Sequence, residues 1–372
     1  MTLRSDYEPG TSRWATRRAM WLALGLSDAD MVKPKIAIVN TSSQLAICFS
    51  HLDEIAKRAK RAIEAAGGQL DGMICLASCD KTGPGQLMAA ARLNIPTIMV
   101  ACGYQASGSF RGRHCDIEDV FLAAGHVASG SLSAADLTEM SGCAVLSPGV
   151  CAGFGTANTM HLACEALGMA LPGSTPVRAN SEPMWRTVDD AGRRIVEIVG
   201  EDLRPRDVMT PAAFRNAVTS VLSVSGSINS VKHLQAVAAE TENGTDVYGL
   251  FETLADGVPL LAEIQPNGET PIEEFEDAGG TAALTKQLEP QLDGSPGMGM
   301  ASAGLRAGRQ GPHRPGRRGH RRAAVRPGEQ GHRGRRDIAG GGGGRPARAG
   351  PRRRHDSHRR PGPHRRPGRP GR

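Results

Sequence analysis

No run of apolar residues in this 372-residue chain is long enough to cross a bilayer, which takes about 20 residues in a helix. The first residues, Met1 to Asp6, also contain no apolar core of the kind that a secretory signal requires. These two absences argue against a membrane or exported protein. They predict a cytoplasmic protein with no membrane partner.

The eight cysteines lack the setting of a disulfide framework. All of them fall between residues 48 and 164 of a large chain without a recognisable signal, which favours metal binding or catalysis over disulfide pairing. Four stand in apolar settings and are expected to be small buried hydrophobic residues, namely Cys75, Cys102, Cys143 and Cys164.

The last part of the chain, residues 301–372, has no lysine and no aromatic residue. It holds 22 arginines and three acidic residues, a formal charge of +19, which leaves −12 for residues 1–300. So few apolar side chains cannot offset chain entropy, and a disordered tail is predicted. The Arg, Gly, Pro, Ala and His composition is that of a GC-rich gene read out of frame, which favours a frameshift near residues 293–300. A genuine basic tail that binds nucleic acid or another polyanion is the alternative, although the tail lacks aromatics to stack on bases.

The body of the chain alternates short apolar runs with helical patterns. The runs at residues 35–40, 70–76 and 96–101 are typical of buried parallel strands, and helices are predicted between them at 51–66 and 86–93. This alternation predicts an α/β fold, a parallel doubly wound sheet flanked by helices. Further helices are predicted at residues 11–26, 156–167, 189–199, 211–222, 231–240 and within 276–292.

Three cysteines occupy loops where such a sheet binds ligands, beyond the carboxyl ends of its strands. Cys48 and Cys79 follow the first two strands, and Cys151 lies in a glycine-rich loop before a helix. Asp80 and Lys81 stand directly after Cys79. Thiolates suit iron–sulfur clusters and zinc, whereas carboxylates suit magnesium and manganese. One short loop could therefore serve two metal centres, and two Lewis acids can together remove a polar leaving group from a small acid.

Simpler roles exist for several polar residues near these cysteines. Asp80 could cap the helix that follows it, and Lys81 alone would be a solvated charge. His51 could be a local structural partner or a substrate contact. Asn158 and Ser227 could contact a substrate, but helix capping and turn formation explain them equally well.

Several motifs, in the same order, resemble the dihydroxy-acid dehydratase family, which includes the sugar-acid and phosphogluconate dehydratases. The resemblance covers residues 10–292. The motifs that carry it are Ser78 to Ala90 (SCDKTGPGQLMAA), Cys151 to Met160 (CAGFGTANTM), Glu165 to Gly173 (EALGMALPG), Arg204 to Asp207 (RPRD) and Ser225 to Asn229 (SGSIN).

The resemblance implies a metal-dependent active site. Cys48, Cys79 and Cys151 would hold a [2Fe–2S] cluster, or a [4Fe–4S] cluster in some members. Iron–sulfur clusters held by cysteine normally use four thiolates, so three would leave one iron position open for a substrate oxygen. Asp80 would bind Mg²⁺, and a carbamylated Lys81 would supply a second oxygen ligand.

The resemblance also implies an activity. The family consists of hydro-lyases that convert a small-molecule 2,3-dihydroxy acid to a 2-keto acid, with branched-chain amino-acid synthesis as the prototype. A sugar-acid (aldonate) dehydratase is the alternative within the family, and a homodimer is expected. A non-enzymatic protein that binds polyanions through its arginine-rich tail is the alternative of another class.

The chain departs from the family pattern in two places. Gly67 and Gly68 end the predicted helix at 51–66, and Gln69 alone joins them to the next strand at residue 70. The family has several tens of residues there, which include an acidic Mg²⁺ ligand. The family's C-terminal domain, with its serine base, should begin near residue 293, and no serine here matches that base. We therefore expect an N-terminal domain over 1–292, with a segment missing near 68–70, and a tail over 293–372. A chain of this kind is expected to be inactive.

Overall fold

A computed structural model describes residues 8, 11–23, 25–67 and 71–293. All of these residues belong to the first of the two units into which the chain divides, Met1–Pro312. The arginine-rich tail and the junction at 68–70 lie outside the described residues. The predictions made for those two segments therefore stay predictions.

The centre of the fold is a parallel three-stranded sheet in the order β1-β2-β3. Its strands are β1 (Ile36–Val39), β2 (Gly72–Ala77) and β3 (Thr97–Ala101). The registers Ile36↔Gly72 and Met73↔Thr97 align the carboxyl ends of the strands along one edge. Every residue of β2 and β3 is buried, as expected for parallel strands covered on both faces.

Helices and one short hairpin surround this sheet in the described part of the chain. None of these helices is long and apolar enough to cross a membrane. The hairpin consists of β4 (Gly108–Phe110) and β5 (Arg113–Cys115). The helices are α1 (Ser12–Ala23), α2 (Asp28–Met31), α3 (Leu52–Ala65), α4 (Thr82–Leu93), α5 (Ile117–Ala128), α6 (Ala134–Cys143), α7 (Thr156–Ala166), α8 (Glu182–Glu201), α9 (Pro205–Val208), α10 (Pro211–Leu222), α11 (Asn229–Thr241), α12 (Val247–Leu254), α13 (Ile272–Asp277) and α14 (Gly280–Leu288), followed by a 3₁₀ turn, Glu289–Gln291.

Helices cover both faces of the sheet. Successive side chains of a strand point to opposite faces, and β2 shows both neighbours. A Cβ on Gly72 would lie 2.9 Å from a methyl carbon of Val199 in α8. Cys75, three residues later, lies near Cys164 of α7: burial raises the pKa of the Cys164 thiol, and the nearby Cys75 thiol adds to the rise. The prediction of an α/β fold with a parallel sheet flanked by helices is confirmed.

Three helices show the most informative differences from the sequence prediction. Helix α4 begins at Thr82 rather than at residue 86, because Pro84 lies in the first turn, where a backbone N–H has no partner within the helix. Helix α8 begins seven residues before the predicted start, capped by the Ser181 side chain. The helix predicted within 276–292 is broken at Gly279, which adopts a φ of 106°.

The region between β3 and α7 holds elements that the sequence did not predict. Strands β4 and β5 have three residues each, too few to show a period-two pattern. Helix α5 begins with a reciprocal capping box between Asp116 and Asp119. This region positions an acidic helix start beside the third cysteine loop.

Candidate metal centre

The structure brings the three predicted cysteine loops to the carboxyl edge of the sheet. Cys48 lies in a turn between β1 and α3, and Cys79 lies between β2 and α4. The Cys151 loop joins the same edge because Val150 pairs with Tyr104, which follows β3. All eight cysteines of the chain are free thiols.

The three thiols influence one another. Burial raises the pKa of Cys48 to about 11, and the neighbouring thiols of Cys79 and Cys151 add to the rise. Burial also raises the pKa of Cys151 to about 11, and the nearby Glu118 and Cys79 raise it further. Such thiols stay protonated until a cation supplies positive charge, because metal binding deprotonates a coordinating thiol.

Close packing explains two glycines of the third cysteine loop. Gly149 has a φ of 130°, and a Cβ there would lie 2.6 Å from the carbonyl carbon of Tyr104. A Cβ on Gly153 would lie 2.7 Å from Cγ of Glu118. The loop that carries Cys151 therefore fits between the chain after β3 and the start of α5 only because these two positions lack side chains.

Asp80 and Lys81 form an ion pair beside Cys79. The Lys81 ammonium donates to the Asp80 carboxylate at 2.5 Å, and their side chains are 64% and 41% exposed. The alternative that Asp80 caps α4 is wrong, because Lys81 occupies the N-cap position and no side chain caps the helix there. The Asp80 carboxylate thus has only Lys81 as an ion-pair partner among the described residues.

Two histidines near the site differ in the hydrogen bonding of their Nε2 atoms. His51 is buried, and its Nε2 lies 2.7 Å from the carbonyl oxygen of Cys102, which supports the structural alternative for this residue. His233 of α11 was not recognised in the sequence. Burial lowers its pKa, and the charge of Lys81 adds to this effect. Among the described residues, no group hydrogen bonds its buried Nε2.

Asn158 and Ser227 take structural roles. The Asn158 amide is buried and donates to the carbonyl oxygens of Cys151 and Gly153, each at 2.9 Å. The Ser227 hydroxyl lies 2.9 Å from the hydroxyl of Thr156 at the start of α7. Both side chains therefore satisfy the loop and the helix start, as the capping alternative predicted.

The four cysteines expected to be buried divide into two groups. Cys75, Cys102 and Cys164 are at most 2% exposed, as predicted. The prediction for Cys143 is wrong, because this residue is half-buried and its thiol lies 3.2 Å from the carbonyl oxygen of Met140. Cys143 stands at the end of α6, where one side of the helix remains open to solvent.

One compact group of ligand atoms in the described residues lies outside the predicted set. Atoms of His114, Asp116 and Asp119 lie within 4.8 Å of one another. Oδ1 of Asp116 accepts the N–H groups of Glu118 and Asp119, and Asp119 accepts the N–H of Asp116 at 3.0 Å. These carboxylates cap α5, so capping accounts for the group without a metal.

Comparison with known proteins identifies the family. A family model described as "Dihydroxy-acid/6-phosphogluconate dehydratase N-terminal" matches residues 67–296. The chain belongs to this dehydratase family. It is 36% identical over 333 residues to the dihydroxy-acid dehydratase of Methanothermobacter thermautotrophicus, covering 78% of this chain and 61% of that relative. It is 33% identical over 328 residues to the Pyrococcus abyssi dihydroxy-acid dehydratase, covering 77% and 59%. The chain therefore spans about three fifths of the length of these curated relatives.

Proposed function

We propose that this member of the dehydratase family carries the metal-binding half of a hydro-lyase active site. The observation that carries the proposal is the meeting of three free thiols, Cys48, Cys79 and Cys151, at the carboxyl edge of one parallel sheet. They would hold a [2Fe–2S] cluster, with a [4Fe–4S] cluster as the alternative.

The donor set supports this assignment. Thiolates are the usual ligands of iron–sulfur clusters, and each of the three loops supplies one thiol. The oxygen donor Asp80 stands directly after Cys79 in the second loop. Asp80 would bind Mg²⁺, a hard cation that prefers oxygen. When bound, the cluster and Mg²⁺ would supply Lewis acidity toward a hydroxyl leaving group and a carboxylate.

Lys81 could become a second oxygen donor. Its ammonium would first lose a proton, and the neutral amine would then form an N–C bond to CO₂ and release a second proton, which converts a cation to an anionic carbamate. Nζ of Lys81 now lies 2.5 Å from the Asp80 carboxylate, and Mg²⁺ on that carboxylate would compete with this contact. Carbamylation at Lys81 is therefore coupled, in this proposal, to occupation of Asp80.

The proposed substrate is a small 2,3-dihydroxy acid, which would lose water to give a 2-keto acid. The names of the similar proteins support this choice over a sugar acid, although the description of the family model also includes 6-phosphogluconate dehydratases. Branched-chain amino-acid synthesis, a cytoplasmic location and a homodimer remain predictions. The expected lack of turnover by this chain likewise remains a prediction.

The proposal is tested by cluster binding rather than by turnover. The full chain is incubated anaerobically with ferrous iron and sulfide and then desalted. We expect a brown chromophore with equal iron and sulfide content, which Cys48→Ser, Cys79→Ser and Cys151→Ser each abolish. Cys143→Ser is the matched control, since Cys143 is also half-buried but lies outside the site.

Two results would oppose the proposal. One is a parent chain that retains no iron, and the other is a control variant that loses as much iron as the three site variants. Nucleic acid binding that weakens steeply with salt and disappears when residues 301–372 are deleted would instead support the polyanion-binding alternative.

A further inference from the structure

Each of the three site cysteines is held by its backbone carbonyl. Every one of these carbonyl oxygens accepts a hydrogen bond from a polar side chain that the sequence analysis did not assign to metal binding. The three bonds are Ser78 Oγ to Cys48 O (2.6 Å), Thr82 Oγ1 to Cys79 O (2.7 Å) and Asn158 Nδ2 to Cys151 O (2.9 Å). None of the bonds uses a thiol.

Ser78 connects the first two cysteine loops. Its hydroxyl donates to Cys48, 30 residues earlier, while its N–H donates to the Thr82 hydroxyl at 3.1 Å. Its carbonyl oxygen lies 3.0 Å from Nε2 of His161 in α7. Ser78 is only 1% exposed, so its three polar groups are each satisfied inside the protein.

Helix α7 connects the second and third loops. Asn158 and His161 stand three residues apart, on neighbouring turns of one face. Asn158 binds the Cys151 loop and His161 binds Ser78. The helix therefore fixes the positions of both loops relative to each other, without contact through sulfur.

Holding the loops by their carbonyls fixes the backbone that carries each thiol before any metal arrives. A site organised in this way loses less conformational freedom when it binds, and groups that orient metal ligands influence affinity strongly. We propose that Ser78, Thr82 and Asn158 are positioning residues for an iron–sulfur cluster on Cys48, Cys79 and Cys151. This proposal rests on the proposed function, because it assumes that the cysteines are cluster ligands.

A hydrogen bond of the same kind as that of Thr82 occurs far from the three site cysteines, and it provides a matched control. Thr241, at the end of α11, donates from Oγ1 to the carbonyl oxygen three residues earlier at 2.7 Å. Thr82 donates to Cys79 with the same spacing and distance. A purely structural role predicts equal consequences for Thr82→Val and Thr241→Val, whereas a positioning role does not.

The experiment compares full-length Thr82→Val, Ser78→Ala, Thr82→Ser and Thr241→Val after anaerobic reconstitution with iron and sulfide. Visible circular dichroism reports cluster geometry, and the rate of iron release to a chelator reports retention. We expect Thr82→Val and Ser78→Ala to alter the visible spectrum and to release iron about tenfold faster or more. Thr82→Ser, which keeps the hydroxyl, and Thr241→Val should match the parent.

Urea midpoints and far-ultraviolet circular dichroism verify that each variant is folded. If Thr82→Val or Ser78→Ala does not fold, Asn158→Asp takes its place, because it preserves the shape of the side chain and removes the donor. Release rates equal to that of Thr241→Val, in a parent that binds a cluster, would overturn this proposal alone. A parent that binds no cluster would overturn the proposed function, and this proposal with it.

Discussion

The hydroxyl of Ser78 donates to the carbonyl oxygen of Cys48 at 2.6 Å, which joins the loop after β2 to the loop after β1. Neighbouring parallel strands end at the same edge of the sheet, so a single side chain can connect their loops. Because the bond is made through backbone oxygen, the Cys48 thiol keeps its capacity to bind metal. The fold thus provides both the location of the thiols and their mutual support.

The first prediction concerns pH and His161, which lies behind this loop. Burial lowers the pKa of His161 to about 4, below the value of about 6.5 expected in an unfolded chain. The unfolded state therefore binds the proton first, and stability should fall as the pH falls from 6.5 toward 4 and then level off. The expected loss is about 3 kcal/mol at the low-pH limit.

The measurement for His161 is the free energy of unfolding in urea between pH 4 and 8, for the parent and for His161→Gln. Subtracting one from the other cancels all groups that titrate alike in both proteins. The free energy of unfolding of the parent minus that of His161→Gln should stay constant above pH 6.5 and should fall as the pH drops below 6.5. A difference that stays constant over this range would show that His161 does not titrate with a lowered pKa.

The second prediction concerns Gly149, beside the third cysteine. Gly149→Ala would place a Cβ 2.6 Å from the Tyr104 carbonyl carbon at a φ of 130°. We expect a loss of about 3 kcal/mol or more in unfolding free energy, because strain and backbone overlap add. Gly130 is the control, since its φ is 77° but a Cβ there meets nothing within 4 Å. Gly130→Ala should cost about 1 kcal/mol, and an equal cost at both positions would contradict the prediction.

The sequence predicted where the Cys48 and Cys79 loops lie in the fold, but not the hydrogen bonds that hold them. The three strands were predicted within two residues of their observed bounds, because buried parallel strands are continuous aliphatic runs. The position of Cys48 and Cys79 after two of those strands then placed them at one edge. The role of Ser78 was not predicted, because a hydrogen bond across 30 residues depends on tertiary structure and leaves no periodic signal. Thr82 bonds Cys79 only three residues away, a local turn contact that many threonines make and that does not by itself indicate a site.

Helix α4 shows how local rules conflict. The Gly-Pro-Gly sequence at residues 83–85 favours a loop, yet the helix begins at Thr82. The Thr82 hydroxyl accepts the Ser78 N–H and donates to the Cys79 carbonyl, so the turn before the helix is satisfied by a side chain. These two bonds, together with the position of Pro84 in the first turn, where its missing N–H costs nothing, account for the early start.

The third prediction concerns Arg206, within a motif shared with the family. Its guanidinium donates to the Ala91 carbonyl at 2.9 Å, near the end of α4, and pairs with Glu242 through two bonds of 2.6 and 2.8 Å. Lysine has a single side-chain nitrogen and cannot keep the Ala91 contact together with the pair to Glu242. The pair itself contributes little, because the Glu242 side chain is 69% exposed, so the contact with α4 is the main loss. Arg206→Lys should therefore lower the unfolding free energy by about 1–2 kcal/mol.

The control for this change is Arg204→Lys. Arg204 pairs with Asp202 two residues earlier, and the Asp202 side chain is 51% exposed. A local pair of this kind contributes little, so Arg204→Lys should change stability by at most about 0.5 kcal/mol. Equal urea midpoints for the two variants would show that the contact with α4 has no special weight.

The last prediction concerns Glu165, the acid at the end of α7. Its carboxylate accepts the N–H groups of Gly173 (2.6 Å), Ser174 (3.1 Å) and Thr175 (2.9 Å), together with the Thr175 hydroxyl (2.8 Å). Burial raises its pKa to about 7, although these donors pull the pKa back toward its usual range. The bonded turn leads into Val177, whose carbonyl accepts the Tyr104 N–H beside the Cys151 loop.

Glu165→Gln replaces one acceptor oxygen by an NH₂ group that faces N–H donors. Buried donors would lose their partner, and the unfolding free energy at pH 8 should fall by about 2 kcal/mol. Glu197→Gln is the control, because Glu197 is 54% exposed and, within the part of the chain that the structure describes, pairs with Arg194 alone, so its loss should cost at most about 0.5 kcal/mol. A planar amide has one acceptor atom and cannot bind all of these donors at once. A Glu165→Gln protein as stable as the control would therefore contradict the four-bond arrangement.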